Sequence, residues 1–146
     1  ERNLATSTRL AGYGQAFREH RLKVNHQFLI NCDSYTFDGA YQATMKLIES
    51  KAAVDAIITL NDIMALGSLR ALIEKNITVP DDVSIAGYDD VVFAGVSTIP
   101  LSTVRQDVVG IAGNGVKMLM DMIKTEQDNN RHILLEPELI LRNSTR

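Results

Sequence analysis

The sequence predicts an α/β fold built around a parallel sheet. Two features carry that expectation. Short apolar runs rich in β-branched residues alternate with longer segments whose apolar positions recur at three and four, and the runs end in polar steps. Strands alternating with helices imply right-handed crossovers, which set the strands parallel within one sheet.

In chain order, Ser7 or Thr8 are candidate N-caps for a first helix, RLAGYGQAFREH. This segment puts Leu10, Tyr13 and Phe17 at helical spacing, with Arg18 and His20 towards the end, where cations suit the dipole. HQFLIN reads as a first strand. TFDGAYQATMKLIESK reads as a helix with Phe37, Ala40, Tyr41, Thr44, Leu47 and Ile48 on one face. VDAIITL is the next strand, and NDIMALGSLRALIEKN is a helix in which Ile63, Leu66, Leu69, Leu72 and Ile73 recur. ITVPDD turns into the strand VSIAG, VVFAGVSTIP is a long loop, and LSTVR is extended. DVVGIAGNGVKMLMDMIK forms a last helix, TEQDNNR a polar loop, and HILLEPELILR a final extended segment broken by Pro137.

The 146 residues, 45% hydrophobic and 23% charged, suit one compact domain or a large part of a two-lobed one. A net charge of -3 without a dense Lys/Arg cluster argues against this segment itself gripping a nucleic-acid backbone. Cys32 stands alone, so no intrachain disulfide is possible, and a reducing cytoplasm is the expected setting. The apolar runs are too short and interrupted to span a bilayer, so no membrane partner is expected. Because the chain opens on Glu1 rather than Met, it reads as a fragment.

Catalytic machinery is not expected. His20, His26 and His132 are scattered without metal-ligand spacing, and no nucleophile elbow is present. The glycines of GIAGNG fall within a helical pattern, which marks close helix packing rather than a phosphate cradle. Neither a cofactor nor a metal is implied.

The polar steps INCD, TLND and AGYDD end three strands of the expected parallel sheet. Ligands of such sheets lie outside the carboxyl ends of the strands, so these steps should line one crevice. Asn61 or Asp62 is the N-cap of its helix, leaving the other to face the ligand. Asp89 and Asp90 are neighbours that should point to opposite sides, so only one can enter the crevice and the pair is no catalytic dyad. One acid accepting hydrogen bonds suits a ligand rich in hydroxyl or amino groups.

These motifs together resemble the effector-binding core of the lactose/galactose-repressor family of bacterial transcription regulators. The resemblance extends from TSTRLAGYGQAF, through AIITLNDIMALGSLRALIEKNITVPDDVSIAGYDD and IPLSTVRQD, to LLEPELILRNST. It implies a type I periplasmic-binding-protein-like fold, mostly its second lobe: residues 1–105 in that lobe, 106–131 in a largely missing first lobe, and 132–146 returning to the second. It also implies that Arg9, Asn61, Asp89 and Gln106 bind a small-molecule effector. Family members often carry an aromatic five positions before the glycine of the helix after the first strand. Here Ser34 stands there, with Tyr35 or Phe37 as substitutes.

The effector implied is a carbohydrate, with a nucleoside-like ligand as the other possibility. The resemblance further implies a homodimer formed through the helix carrying Met64, Leu66, Leu69 and Ile73 and through the loop after Asp90. Operator DNA would be bound through a helix-turn-helix headpiece absent from this chain. The alternative in another class is a periplasmic sugar-binding protein serving a transporter, which would share the pocket but require a secretion signal.

Overall fold

A computed structural model describes residues 4–32, 34–125 and 132–146. The elements are α1 (Leu4–Glu19), a 3-10 turn (His26–Phe28), α2 (Phe37–Glu49), β1 (Ala56–Ile58), α3 (Asp62–Glu74) and β2 (Ser84–Ala86). They continue with α4 (Val92–Val96), β3 (Thr103–Arg105), α5 (Val108–Thr125) and β4 (Glu138–Ile140).

β1 and β2 pair in parallel, Ile57 opposite Ile85, as the βα alternation requires. β3 and β4 pair antiparallel, with Val104 opposite Leu139. Parallel bridges from Ala86 to Ser102 and from Asp89 to Arg105 join the two ladders. The order across the assembly is therefore β1, β2, β3, β4, with β2 and the turn after it at its centre.

The core lies between α3 and this sheet. Ala65, Leu69 and Leu72 of α3 pack with Val79, Val83, Ile85, Ala94 and Leu101. Burial of a Leu or Ile side chain contributes roughly 1.5–3 kcal/mol, so this cluster is the main source of stability in the lobe. α2 lies against α3, and Gly67 allows the approach: a Cβ at that position would run into the Phe37 carbonyl.

Both of these helices begin on side-chain caps. Thr36 Oγ1 accepts from Gly39 N at 3.1 Å, and Asn61 Oδ1 accepts from Met64 N at 2.8 Å. The cap of α3 is thus Asn61, which leaves Asp62 for another role. Asn61→Ala is expected to cost about 1 kcal/mol of unfolding free energy in urea titration, the usual loss for a polar N-cap.

Several expectations are corrected. Ser7 and Thr8 are not caps but lie inside α1, which starts by Leu4. HQFLIN forms no strand; Asn25 Oδ1 accepts from Gln27 N at 3.1 Å and starts a single 3-10 turn. Phe28, Leu29 and Ile30 are exposed there, and without a neighbouring ladder an extended backbone has nothing to bond to. The VVFAGVSTIP loop contains the short helix α4, anchored by buried Ala94, whose carbonyl accepts from Leu101 N at 2.8 Å. Within TEQDNNR, residues 126–131 lie outside the described residues, as does Asp33 of INCD.

α5 is amphipathic, yet none of its residues is buried. Val109 is 84% exposed and Ile123 64%. A Cβ at Gly113 or Gly115 would meet nothing within 4 Å, so among the described residues these two glycines make no close helix packing, while Gly110 abuts the Asp107 carboxylate that accepts from its N–H. Among the described residues, no helix is long and apolar enough to cross a membrane.

Candidate ligand-binding site

The polar residues converge where β2 ends. Gln106 Nε2 donates to Asp89 Oδ1 at 2.8 Å, and Arg9 Nη2 stands 3.7 Å from the same oxygen. Among the described residues both contacts fall on Oδ1, so Oδ2 keeps its acceptor capacity. Arg9 comes from α1, donates through Nη1 to the Leu60 carbonyl, and lays its guanidinium 3.7 Å above the centre of the Tyr88 ring. Asn61 adjoins Leu60 directly; its Oδ1 serves as the α3 cap, which leaves its amide NH2 as a donor.

Asp89 and Asp90 do part company, though by turn geometry rather than strand alternation. Both have positive φ, 109° and 53°. Asp89 faces Arg9 and Gln106. Asp90 turns inward, taking Arg105 Nε on Oδ2 and Arg142 Nη2 on Oδ1, each at 2.6 Å.

Behind the turn stands Asp62, fully buried. Its Oδ1 accepts from Thr103 Oγ1 at 2.6 Å and its Oδ2 from Val91 N at 2.9 Å, while its own N–H donates to the Tyr88 carbonyl at 2.8 Å. Gly87 makes this arrangement possible, since a Cβ there would fall on the Asp62 carboxylate. Burial pushes the Asp62 carboxyl above its ordinary pKa, with Asp89 and Asp90 adding to the rise against the hydrogen bonds from Thr103 and Val91.

Asp90 shifts the other way. Burial alone would raise it, but the hydrogen bonds and charges of Arg105 and Arg142 outweigh that and hold it below the usual carboxylate value. A folded-state pKa below the unfolded one gives stability that is present above about pH 4 and lost as pH falls through the folded value. Asp90→Asn is therefore expected to flatten the acid limb of a stability profile between pH ~5 and ~3. Urea unfolding across that range checks it, and parallel profiles for the two proteins would refute it.

Of the remaining predicted site residues, Tyr35 is half exposed and brings its hydroxyl within 3.3 Å of Thr6 Oγ1, one helical turn before Arg9. Ser34 instead pairs with Thr36 Oγ1 at 2.7 Å beside the α2 cap and does not join the cluster. A groove of about 510 Å³ runs from Asp89 and Asp90 past Arg105 and Gln106 to Val108 and Glu138. Another of about 600 Å³, between Val79, Ile99 and Asn143, gathers none of the strand-end polar residues.

Arg105 and Arg142 were not legible as site residues. Tyr88 stands within the AGYDD step, whereas Arg142 meets Asp90 across 52 positions with nothing local to mark it.

The expected dimer residues divide. Met64 and Leu69, 6% and 4% exposed, are buried in the chain's own core. Leu66 is half-buried and Ile73 is 39% exposed. The neighbouring α4 shows Val92, Phe93 and Val96 at 80%, 64% and 74%.

A βα lobe with polar side chains gathered at the carboxyl ends of parallel strands is of the periplasmic-binding-protein kind. The periplasmic binding protein-like domain profile matches residues 2–145, and the chain belongs to that family. Its relatives within the family are LacI-type transcription regulators. It is 31% identical over 143 residues to the HTH-type transcriptional repressor PurR of Vibrio parahaemolyticus, covering 98% of this chain and 42% of that protein. The crystal structure of a LacI-type transcription regulator from Bifidobacterium animalis subsp. lactis superposes with a TM-score of 0.90 at 32% identity, covering 97% of this chain and 51% of that one. The transcriptional regulator CelR in complex with cellobiose gives 0.88 at 29% identity, covering 95% and 42%. The chain thus spans about two fifths to a half of the proteins it matches.

Proposed function

We propose that this chain is the effector-sensing part of a bacterial transcription regulator. It binds a small hydroxyl-rich ligand, a carbohydrate above all, through Arg9, Asn61, Asp89 and Gln106, with Tyr35 at the rim. The observation that carries this reading is the meeting of a guanidinium and an amide on one carboxylate oxygen after the end of β2. A carboxylate accepts from vicinal hydroxyls, a guanidinium offers fixed donors, and an amide does both. Nothing in the arrangement pairs an acid with a base over a reacting atom, so the role is binding rather than turnover. The likeness to a regulator held with cellobiose supports the ligand class.

Residues 1–105 and 132–146 form the second lobe, and residues 106–131 belong to a first lobe that closes over the ligand. The exposed apolar face of α5 supports that division. So does the accessible surface of 10523 Å² for a chain of 16.1 kDa. A self-contained globule of that mass exposes about 7400 Å². Ligand favours the closed arrangement by its differential affinity for the two states. The change in lobe orientation then alters how a cytoplasmic homodimer presents helix-turn-helix heads to operator DNA. Ile73, Leu66 and the exposed side chains of α4 supply this lobe's share of the dimer surface.

The test uses the full-length natural chain, genomic DNA fragments it retains, and cellobiose or ribose as probes. A sugar that changes retention at least tenfold supports the proposal. A protein that retains no DNA and binds neither sugar overturns it.

A further inference from the structure

We infer that Asp90 is the positioning residue of the ligand site, holding the turn from which Asp89 presents its carboxylate. Asp89 and Asp90 are successive non-glycine residues with φ of 109° and 53°. L residues keep such a conformation only when their surroundings hold it. On the Tyr88 side the turn is tied by Asp62 N donating to the Tyr88 carbonyl at 2.8 Å, and within it Asp89 N donates to the Val104 carbonyl at 2.9 Å. The far side of the turn is held by Val91 N, which donates to Asp62 Oδ2 at 2.9 Å, and by the Asp90 carboxylate, whose side chain is 10% exposed and takes one arginine on each oxygen at 2.6 Å.

The two arginines are themselves fixed. Arg142 Nη1 donates to the Leu101 carbonyl at 2.8 Å, and Arg105 Nη1 reaches Glu138 at 3.3 Å. One carboxylate therefore joins the turn to the end of β3 and to the segment after β4. Gln106, next in the chain to Arg105, donates to Asp89 at 2.8 Å. Releasing Arg105 from Asp90 removes a side-chain tie between the turn that carries the acceptor and the strand end that carries its donor. The structural part of this inference stands on these contacts; its functional meaning rests on the proposed role of Asp89 as a ligand acceptor.

Hydrogen exchange by NMR on the full-length chain tests it. Asn tolerates positive φ, so Asp90→Asn keeps the backbone option while removing the charge. Exchange at the Asp89 amide is expected to quicken at least tenfold, with the Leu72 amide in α3 unchanged. Arg142→Lys keeps the charge but loses the planar fork, and is expected to act in the same direction; it decides the matter if Asp90→Asn does not fold. Unchanged exchange at Asp89, or equal acceleration at Asp89 and Leu72, would overturn the role.

Calorimetry with cellobiose and ribose adds a functional reading. Wild-type binding weakened at least tenfold by Asp90→Asn supports the inference, and undiminished binding overturns it. A wild type that binds neither sugar counts against the carbohydrate reading, while exchange still decides the role of Asp90.

Discussion

Asp89→Ala is expected to weaken binding of a sugar probe to the full-length chain by roughly 3 kcal/mol, about two orders of magnitude. Arg9 and Gln106 both address Asp89 Oδ1, and a ligand held against Oδ2 would complete the set. Truncation removes the ligand's acceptor and also leaves the Arg9 guanidinium facing a site without its counter-charge. The loss therefore exceeds that of one neutral hydrogen bond. Because Asp89 is not part of the apolar core, the unfolding midpoint of the ligand-free protein should move far less than the affinity. Calorimetry with cellobiose and ribose on both proteins measures the first, and urea unfolding the second. Equal affinities would remove Asp89 from the ligand site, and a collapse of stability would show that its carboxylate serves the fold instead.

The parts of the fold that were legible are those in which local signals suffice. α2 and α3 carry 3.6-residue periodicity, and α3 uses Asn61, one of its two cap candidates, while α2 is capped by Thr36, which was not singled out from the sequence. β2 is a run whose Ile85 is buried beside α3, whereas β1 pairs with it but leaves Ala56 and Ile58 exposed. HQFLIN failed because a strand exists only with a partner, which the run itself does not encode. The strand-end rule pointed to the steps carrying Asn61, Asp62, Asp89 and Asp90. The family resemblance chose Asn61 and Asp89 among them and added Arg9 and Gln106, which the structure brings within reach of Asp89. Asp62, left to face the ligand once Asn61 caps the helix, is instead buried behind the turn. The supports behind them were hidden. Asp62 meets Thr103 across 41 positions, and Asp90 meets Arg105 across 15 and Arg142 across 52, distances over which no periodicity or motif speaks. Met64 and Leu69 are buried in the chain's own core: helical spacing marks an apolar face, but not whether that face meets the sheet or a second chain.

Asp62→Ala is expected to destabilise the lobe by about 3 kcal/mol, since the Val91 N–H and the Thr103 hydroxyl would lose their common acceptor inside the protein. The loss is tempered because the buried charge and its repulsion from Asp89 and Asp90 go with it. Asp62→Asn keeps the volume, its oxygen can still accept from Val91 N and its NH2 can donate to the Thr103 hydroxyl, so it should destabilise less than Asp62→Ala. The amide variant also separates the charge from the packing. A folded-state pKa above the unfolded one means that protonation favours the fold: stability falls as pH rises from the unfolded value of about 4 through the folded one. In acid, Asp62 therefore offsets part of the loss caused by Asp90. Removing that offset should steepen the acid limb in Asp62→Asn, opposite to the flattening in Asp90→Asn. Urea unfolding of the three proteins between pH ~3 and ~7 reads both signs at once. A profile for Asp62→Asn parallel to the wild type would show that Asp62 titrates in the fold as it does in the unfolded chain.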